Sequence, residues 1–486
     1  MGKAAKVQLM PDPFISSLPN EIVRFLENPG GHSLIVRGNA GTGKTTFVLQ
    51  VAEEFKDRQR ALYLSTRVSD SSLLRQFPWL AEKLITREET GTRRRSGFGR
   101  LKGMGSGDLV LPRKEMTVSI GRTMPDLENL YELVEKGGER VLIIIDSIDA
   151  LADRYELQCR ELMIALQRDL VEGHGANLLF VLESNDHMLD YLGDGVVECS
   201  RVEHERRLVR EMDLMKLRGV EVQQPLYLFS LKGGKFRCFG ARWDRGCDES
   251  KEFLRPEDPS GRLSYGIIDL DRITGGLSPG AVTLIELGPG LPPAVSGLLE
   301  RSLVSSFAKA GRGVLWVPLR KESGAGARGL LQNSITDQEM EKAIRVIEPA
   351  SQMDLSSGRY VMGVEGSMVS DDLKWKNVAY ALDGSSQPFL SLMGFDSLES
   401  IYGGEVMEGL VDHLAAVKRN GGSFVGLTSP TSRSTPRLAD LATVHLKVER
   451  IGGTVVLFGS KPFTECFALT VEERPRGGCV SLTPLV

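Results

Sequence analysis

The sequence predicts an α/β protein of two tandem domains, each a mainly parallel sheet flanked by helices. Three observations carry this reading. Short apolar runs bounded by turn residues alternate with helically spaced segments, the pattern of buried parallel strands. The same order of runs occurs twice in 486 residues, a length that suits two or three domains. A glycine-rich loop lies directly between the first core strand and a long helical pattern, the place where open α/β sheets hold ligands.

The first domain is placed at residues 1–240. Ser33 to Arg37 (SLIVR) is its first strand, and after the glycine-rich turn FVLQVAEEF continues at helical spacing. Ala61 to Ser65, Val141 to Asp146 and Asn177 to Ser184 supply three more apolar runs. Ala241 to Arg262 is polar and charged, contains two prolines, and reads as a linker. The second domain, residues 263–486, restarts the alternation with Val282 to Leu287, Gly313 to Pro318, Pro388 to Ser397 and Ser423 to Ser429. The offsets between halves are nearly constant. Ser33 matches Thr283 and Asp146-Ser147 matches Asp396-Ser397, each displaced by 250, while Ser184 matches Ser429, displaced by 245. One segment stands outside the repeat. Residues 86–122 hold nine Lys/Arg against four Asp/Glu, are rich in glycine, and predict a basic insertion.

Composition narrows the classes. Hydrophobic residues at 41% and charged residues at 26% exclude a wholly disordered or collagen-like chain. No apolar run approaches ~18 residues, so no membrane-spanning helix is expected. The first residues lack an apolar signal region, and the six cysteines are scattered with no CxxC pair. These features predict reduced thiols, no zinc site and a cytoplasmic protein. A net charge of −4 gives the whole chain no reason to bind nucleic acid.

The strongest motif is Gly38-Asn39-Ala40-Gly41-Thr42-Gly43-Lys44-Thr45, a G-x-x-x-x-G-K-T sequence with Thr46 next in the helix. Its glycines allow backbone N–H groups to wrap phosphate oxygens, and the helix N-terminus adds positive potential. Lys44 is expected to reach the β- and γ-phosphates of ATP, and Thr45 to give its hydroxyl to Mg²⁺. Asp146 ends the run VLIIID, where a carboxylate facing the loop would support the metal; the plainer role is a strand end or helix cap. Ser147 and Asp149 equally suit capping of the next helix.

These residues, together with Met215-Lys216-Leu217-Arg218-Gly219 and the opening Tyr265 to Gly290 of the second half, resemble the RecA superfamily, in particular its KaiC-like group. The resemblance runs from about Leu18 to the end and implies a RecA-like fold in both domains. Two such domains, with Ser65-Thr66-Arg67 after the second strand, also resemble the GvpD-type gas-vesicle regulators. The KaiC-like resemblance implies that Lys216 and Arg218 meet the γ-phosphate of a neighbouring subunit, and hence a homo-oligomer, ring or filament. Both residues also suit the solvated end of a strand.

The chain departs from that pattern in two places. KaiC-like ATPases carry acidic residues after the second strand, where this sequence has Arg67 and Val68. Neither can act as a general base, and Glu183 is the nearest replacement. Hydrolysis is therefore expected to be slow or absent. In the second half the loop reads Gly288-Pro-Gly-Leu-Pro-Pro-Ala-Val295. Lys44 maps to Ala294 and Thr45 to Val295, and Pro292 and Pro293 lack amide donors. Lys461 aligns with Lys216, and Phe463 with Arg218. This domain is expected to bind no nucleotide and to serve packing and partner contact.

Arg93, Arg94, Arg95, Arg100 and Lys102, with Phe98, offer phosphate contacts and one stacking surface. A solvated loop or an acidic protein partner explains them as well. Three functions compete: a nucleotide-dependent regulatory switch acting on a protein partner, a recombinase-like DNA-binding ATPase, and a working motor or self-acting kinase. The missing acidic pair disfavours the motor, and no DNA-binding module accompanies the loop. The sequence therefore favours the regulatory switch, with ATP and Mg²⁺ as cofactors.

Overall fold

The computed structural model describes residues 17–66, 70–80, 127, 130–131, 134, 140–183, 187–241, 253–320, 323–353, 358–403, 406–472 and 479–486. Arg67, Val68 and the basic cluster at Arg93, Arg94, Arg95, Arg100 and Lys102 lie outside them. The chain divides into two compact units, one reaching Gly240 and including Leu485–Val486, the other Ala241–Pro484.

The first unit is built on an eight-stranded sheet. Its parallel part comprises β1 (Ser33–Arg37), β2 (Arg60–Ser65), β3 (Val141–Asp146), β4 (Asn177–Val181) and β5 (Gly195–His204). β6 (Arg207–Leu217), β7 (Leu226–Ser230) and β8 (Arg237–Phe239) continue it antiparallel, giving the order β2-β3-β4-β1-β5-β6-β7-β8. β1 is central, with Ile35 facing Phe180 of β4 on one side and Val196 of β5 on the other. A strand buried on both faces must be apolar throughout. Successive residues serve opposite cores. Leu34 and Val36 pack with Phe47 and Val51 of the helix α2 (Lys44–Phe55), whereas Ile35 packs with Ile143, Ile145 and Phe180. α1 (Asn20–Glu27) lays Ile22, Phe25 and Leu26 onto the same face as α2.

The second unit repeats the plan. β9 (Val282–Leu287), β10 (Arg312–Val317), β13 (Ser386–Gly394), β14 (Ser423–Thr428) and β15 (Val444–Ile451) take the places of β1 to β5. β16 (Thr454–Lys461), β17 (Phe467–Val471) and β18 (Val480–Pro484) form the antiparallel wing, and β11 (Ile344–Pro349) and β12 (Val361–Val364) extend the opposite edge beyond β10. The sheet order β12-β11-β10-β13-β14-β9-β15-β16-β17-β18 is thus the first order with two strands added. The tandem α/β fold expected from the sequence is present.

Three details differ from expectation. Asp396 is not at a strand tip: β13 ends at Gly394, and Asp396 lies in the first turn of the helix Phe395–Tyr402. The reading of six reduced thiols fails at Cys479, which is disulfide-bonded, while Cys199 and Cys238 are thiols. The described end of the 241–262 stretch packs into the second unit, with Phe253 buried and Asp258 ion-paired to Arg312 across 2.6 Å. Among the described residues no helix is long and apolar enough to cross a membrane.

Candidate nucleotide site

The loop Gly38 to Gly43 leaves β1 and enters α2. Three of its glycines are held at positive φ: Gly38 at 140°, Gly41 at 77° and Gly43 at 107°. Gly38 has a steric reason as well. A Cβ there would lie 2.0 Å from the Cys199 carbonyl oxygen of β5. The loop is thereby pressed against the sheet, and α2 begins at Lys44 with no side-chain cap on its first amides. Such amides are the groups a phosphate would engage.

Lys44 folds its ammonium back over the loop. Its Nζ donates to the Gly38 carbonyl at 2.6 Å and the Asn39 carbonyl at 3.0 Å, and it has no ion pair among the described residues. Burial pushes its pKa down, with the charge of Glu183 the largest opposing influence, followed by Cys199, Asp146 and Asp149. Thr42 closes a turn by donating to the Asn39 carbonyl at 2.9 Å. Thr46, the third residue of α2, is buried.

Thr45 donates its hydroxyl to Asp146 Oδ2 at 2.8 Å, and Tyr63 of β2 donates to the same oxygen at 2.8 Å. Burial raises the Asp146 pKa, these two hydrogen bonds oppose it, and Glu183 adds to it. Asp146 therefore serves the loop, and the capping role falls to Ser147, whose Oγ accepts from the Ala150 amide at 3.4 Å. Asp149 holds the approach to Glu183 by accepting its backbone N–H at 2.7 Å. Glu183 follows β4, and its charge acts on both Lys44 and Asp146. Thus the glycine-rich loop, Lys44, Thr45, Asp146 and Glu183 converge at the carboxyl ends of β1, β3 and β4. Hydroxyl and carboxylate oxygens together suit a hard cation such as Mg²⁺.

Lys216 and Arg218 are not part of this cluster within the chain. Lys216 pairs with Val196, donates to the Gly193 carbonyl at 2.6 Å, and stands at the amino-terminal edge of the parallel strands. Arg218 is exposed and ion-paired with Asp194 across 3.1 Å.

Sequence reasoning missed three arginines. Arg37, the last residue of β1, is fully buried and bridges Asp190 at 2.7 Å and Glu198 at 2.8 Å. It fastens the strand below the loop to β5 and to the 187–190 turn. Arg201 and Arg210 both donate to the Gly41 carbonyl, at 2.6 and 3.0 Å. Only the β5–β6 register reveals them, because they sit opposite each other across the hairpin.

The second unit keeps the frame but not the lysine and threonine of the first loop. Its helix Pro293–Lys309 starts beside two prolines, Ala294 is exposed, and Val295 is buried in the core. Asp396 accepts from the Ser432 hydroxyl. Lys461 donates to the Ala439 carbonyl at 2.6 Å, and Phe463 is exposed.

Residues 22–215 match the family model of the GvpD gas vesicle protein P-loop domain. The GvpD-type resemblance, read from the two tandem domains and from Ser65-Thr66-Arg67, is supported by this match. Over 97% of both chains the protein is 25% identical to GvpD2 of Halobacterium salinarum, and over 96% of both it is 22% identical to GvpD1 of the same organism. The similarity to GvpD proteins therefore includes the second unit, with its altered loop, as well as the P-loop domain.

Proposed function

We propose that this chain is an ATP-binding regulatory protein of the GvpD type, in which Mg²⁺·ATP at the first unit sets conformation or assembly and the output is control of a protein partner. The carrying observation is the convergence of Lys44, Thr45 and Asp146 on one glycine-rich loop, in a chain similar throughout to GvpD gas vesicle proteins. Gly38 to Gly43 and the first amides of α2 hold the phosphates, Lys44 supplies charge, and Thr45 and Asp146 hold the metal. The metal, when bound, neutralises phosphate charge.

Hydrolysis is slow in this reading. The positions after β2 that are acidic in KaiC-like ATPases are Arg67 and Val68, which leaves Glu183 to orient a water. Lys216 and Arg218 act on a neighbour's nucleotide, which is compatible with their distance from the loop of their own chain. The second unit binds no nucleotide and offers surface for assembly or partner contact.

The test is calorimetric titration of the full chain with Mg²⁺·ATP, with turnover and light-scattering mass measured on the same sample. One ATP per chain, lost in Lys44→Ala, with slow turnover and an ATP-dependent mass, is the expected result. Two sites per chain would overturn the account of the second unit. Fast turnover abolished by Lys44→Ala would instead make the chain a working ATPase with Glu183 as the first candidate base.

A further inference from the structure

We infer that Arg201 and Arg210 form a clamp, supplied by the same chain as the loop, for the outermost phosphate of a nucleoside triphosphate. The inference rests on the nucleotide site proposed above and names what lets that site distinguish ATP from ADP.

The two arginines belong to the part of the β5–β6 hairpin that runs beyond the neighbouring strands. β5 pairs with β1 up to Glu198, and β6 pairs with β7 from Glu211, so Cys199 to Arg210 pair only within the hairpin. The turn at its tip places Glu205 and Arg206 at φ 49° and 63°. The register sets Arg201 directly opposite Arg210, and both reach the apex of the phosphate loop. Arg201 lies against Gly41 so closely that a Cβ there would be 3.4 Å from its Nη2.

This pairing lacks a counter-charge. Like charges directly opposite across a hairpin are unfavourable. Among the described residues neither arginine has a carboxylate partner, and Arg210 Nε is buried without a hydrogen-bond acceptor. Burial and then the Arg201 charge push the Arg210 pKa down. One carbonyl oxygen, with two lone pairs, cannot satisfy two five-donor guanidinium groups. An anion beside Gly41 would accept the orphaned donor and relieve the repulsion. The loop gathers phosphates, and the terminal one, which carries the most charge, is the one that suits two guanidinium groups. Lys216 and Arg218 cannot serve it within the chain, since Lys216 lies six residues along β6 from Arg210, about 20 Å in an extended strand.

The experiment measures affinities for Mg²⁺·ATP and Mg²⁺·ADP on the full chain, for wild type, Arg201→Gln, Arg210→Gln and the double variant, with a thermal melt for each. Loss of the charge-assisted contacts should weaken ATP roughly tenfold or more, leaving ADP within about twofold. Arg201→Lys and Arg210→Lys keep charge and stem, guard against misfolding of the glutamine variants, and should retain part of the ATP preference. Equal weakening of both nucleotides, or an unchanged ATP-to-ADP ratio, overturns the clamp and leaves the nucleotide site standing. A wild-type protein that binds neither nucleotide removes both the site and the clamp.

Discussion

Thr45 and Asp146 are 101 residues apart and share a 2.8 Å hydrogen bond. The bond joins the first turn of α2 to the end of β3 and brings a hydroxyl and a carboxylate together beside the loop, the pair that the proposed function assigns to Mg²⁺. Tyr63 donates to the same carboxylate oxygen, so the oxygen is held from two sides. An amide in place of the carboxylate keeps an acceptor for Thr45 and removes the charge. Asp146→Asn should therefore fold normally and weaken the Mg²⁺ contribution to ATP affinity by roughly 10- to 100-fold. ATP titrations with and without Mg²⁺ read this, and an unchanged Mg²⁺ dependence would remove Asp146 from the metal site.

Gly38 is required twice over, by its φ of 140° and by the Cys199 carbonyl that occupies the space of a Cβ. Gly38→Ala should cost about 1–3 kcal/mol of stability and abolish nucleotide binding by displacing the loop. Gly30 separates the two causes, since it has a φ of 101° and nothing within 4 Å of an added Cβ. Gly30→Ala should cost about 1–2 kcal/mol and leave nucleotide binding unchanged. Equal loss of binding in both variants would show that the Cys199 contact does not shape the loop.

Asp271 of the second unit is buried and accepts from the Ser264 hydroxyl and the Tyr265 amide. Burial pushes its pKa up from 3.8 to about 6, with Asp258 adding to the rise and Arg255 opposing it. The folded chain thus holds this proton more tightly than the unfolded chain. The stabilisation is full below about pH 4 and is lost as pH rises through 6, a loss of about 3 kcal/mol. Denaturant unfolding of wild type and Asp271→Asn from pH 4 to 8 isolates the effect. The wild type should lose about that much relative to the variant, and a flat difference would show that Asp271 does not titrate in this window.

The sequence by itself determined four parallel strands in each unit, because a strand covered on two faces is apolar along most of its length. SLIVR and VLIIID show this directly, but the sequence did not announce β5, β11, β12 or β15. It also determined the phosphate loop and its loss in the second half, since G-x-x-x-x-G-K-T and Gly-Pro-Gly-Leu-Pro-Pro differ in residues that carry charge or amide donors. The tertiary structure alone decided what those residues meet. Asp396 lies in a helix because β13 stops at Gly394, which strand periodicity does not announce. Tyr63 joins Asp146 only because β2 lies beside β3. Arg201 and Arg210 look like ordinary charges on an exposed hairpin until the β5–β6 register sets them opposite each other above Gly41. Local patterns report burial, which each residue carries in its own side chain. Contacts between distant charges depend on register and sheet order, which only the folded chain fixes.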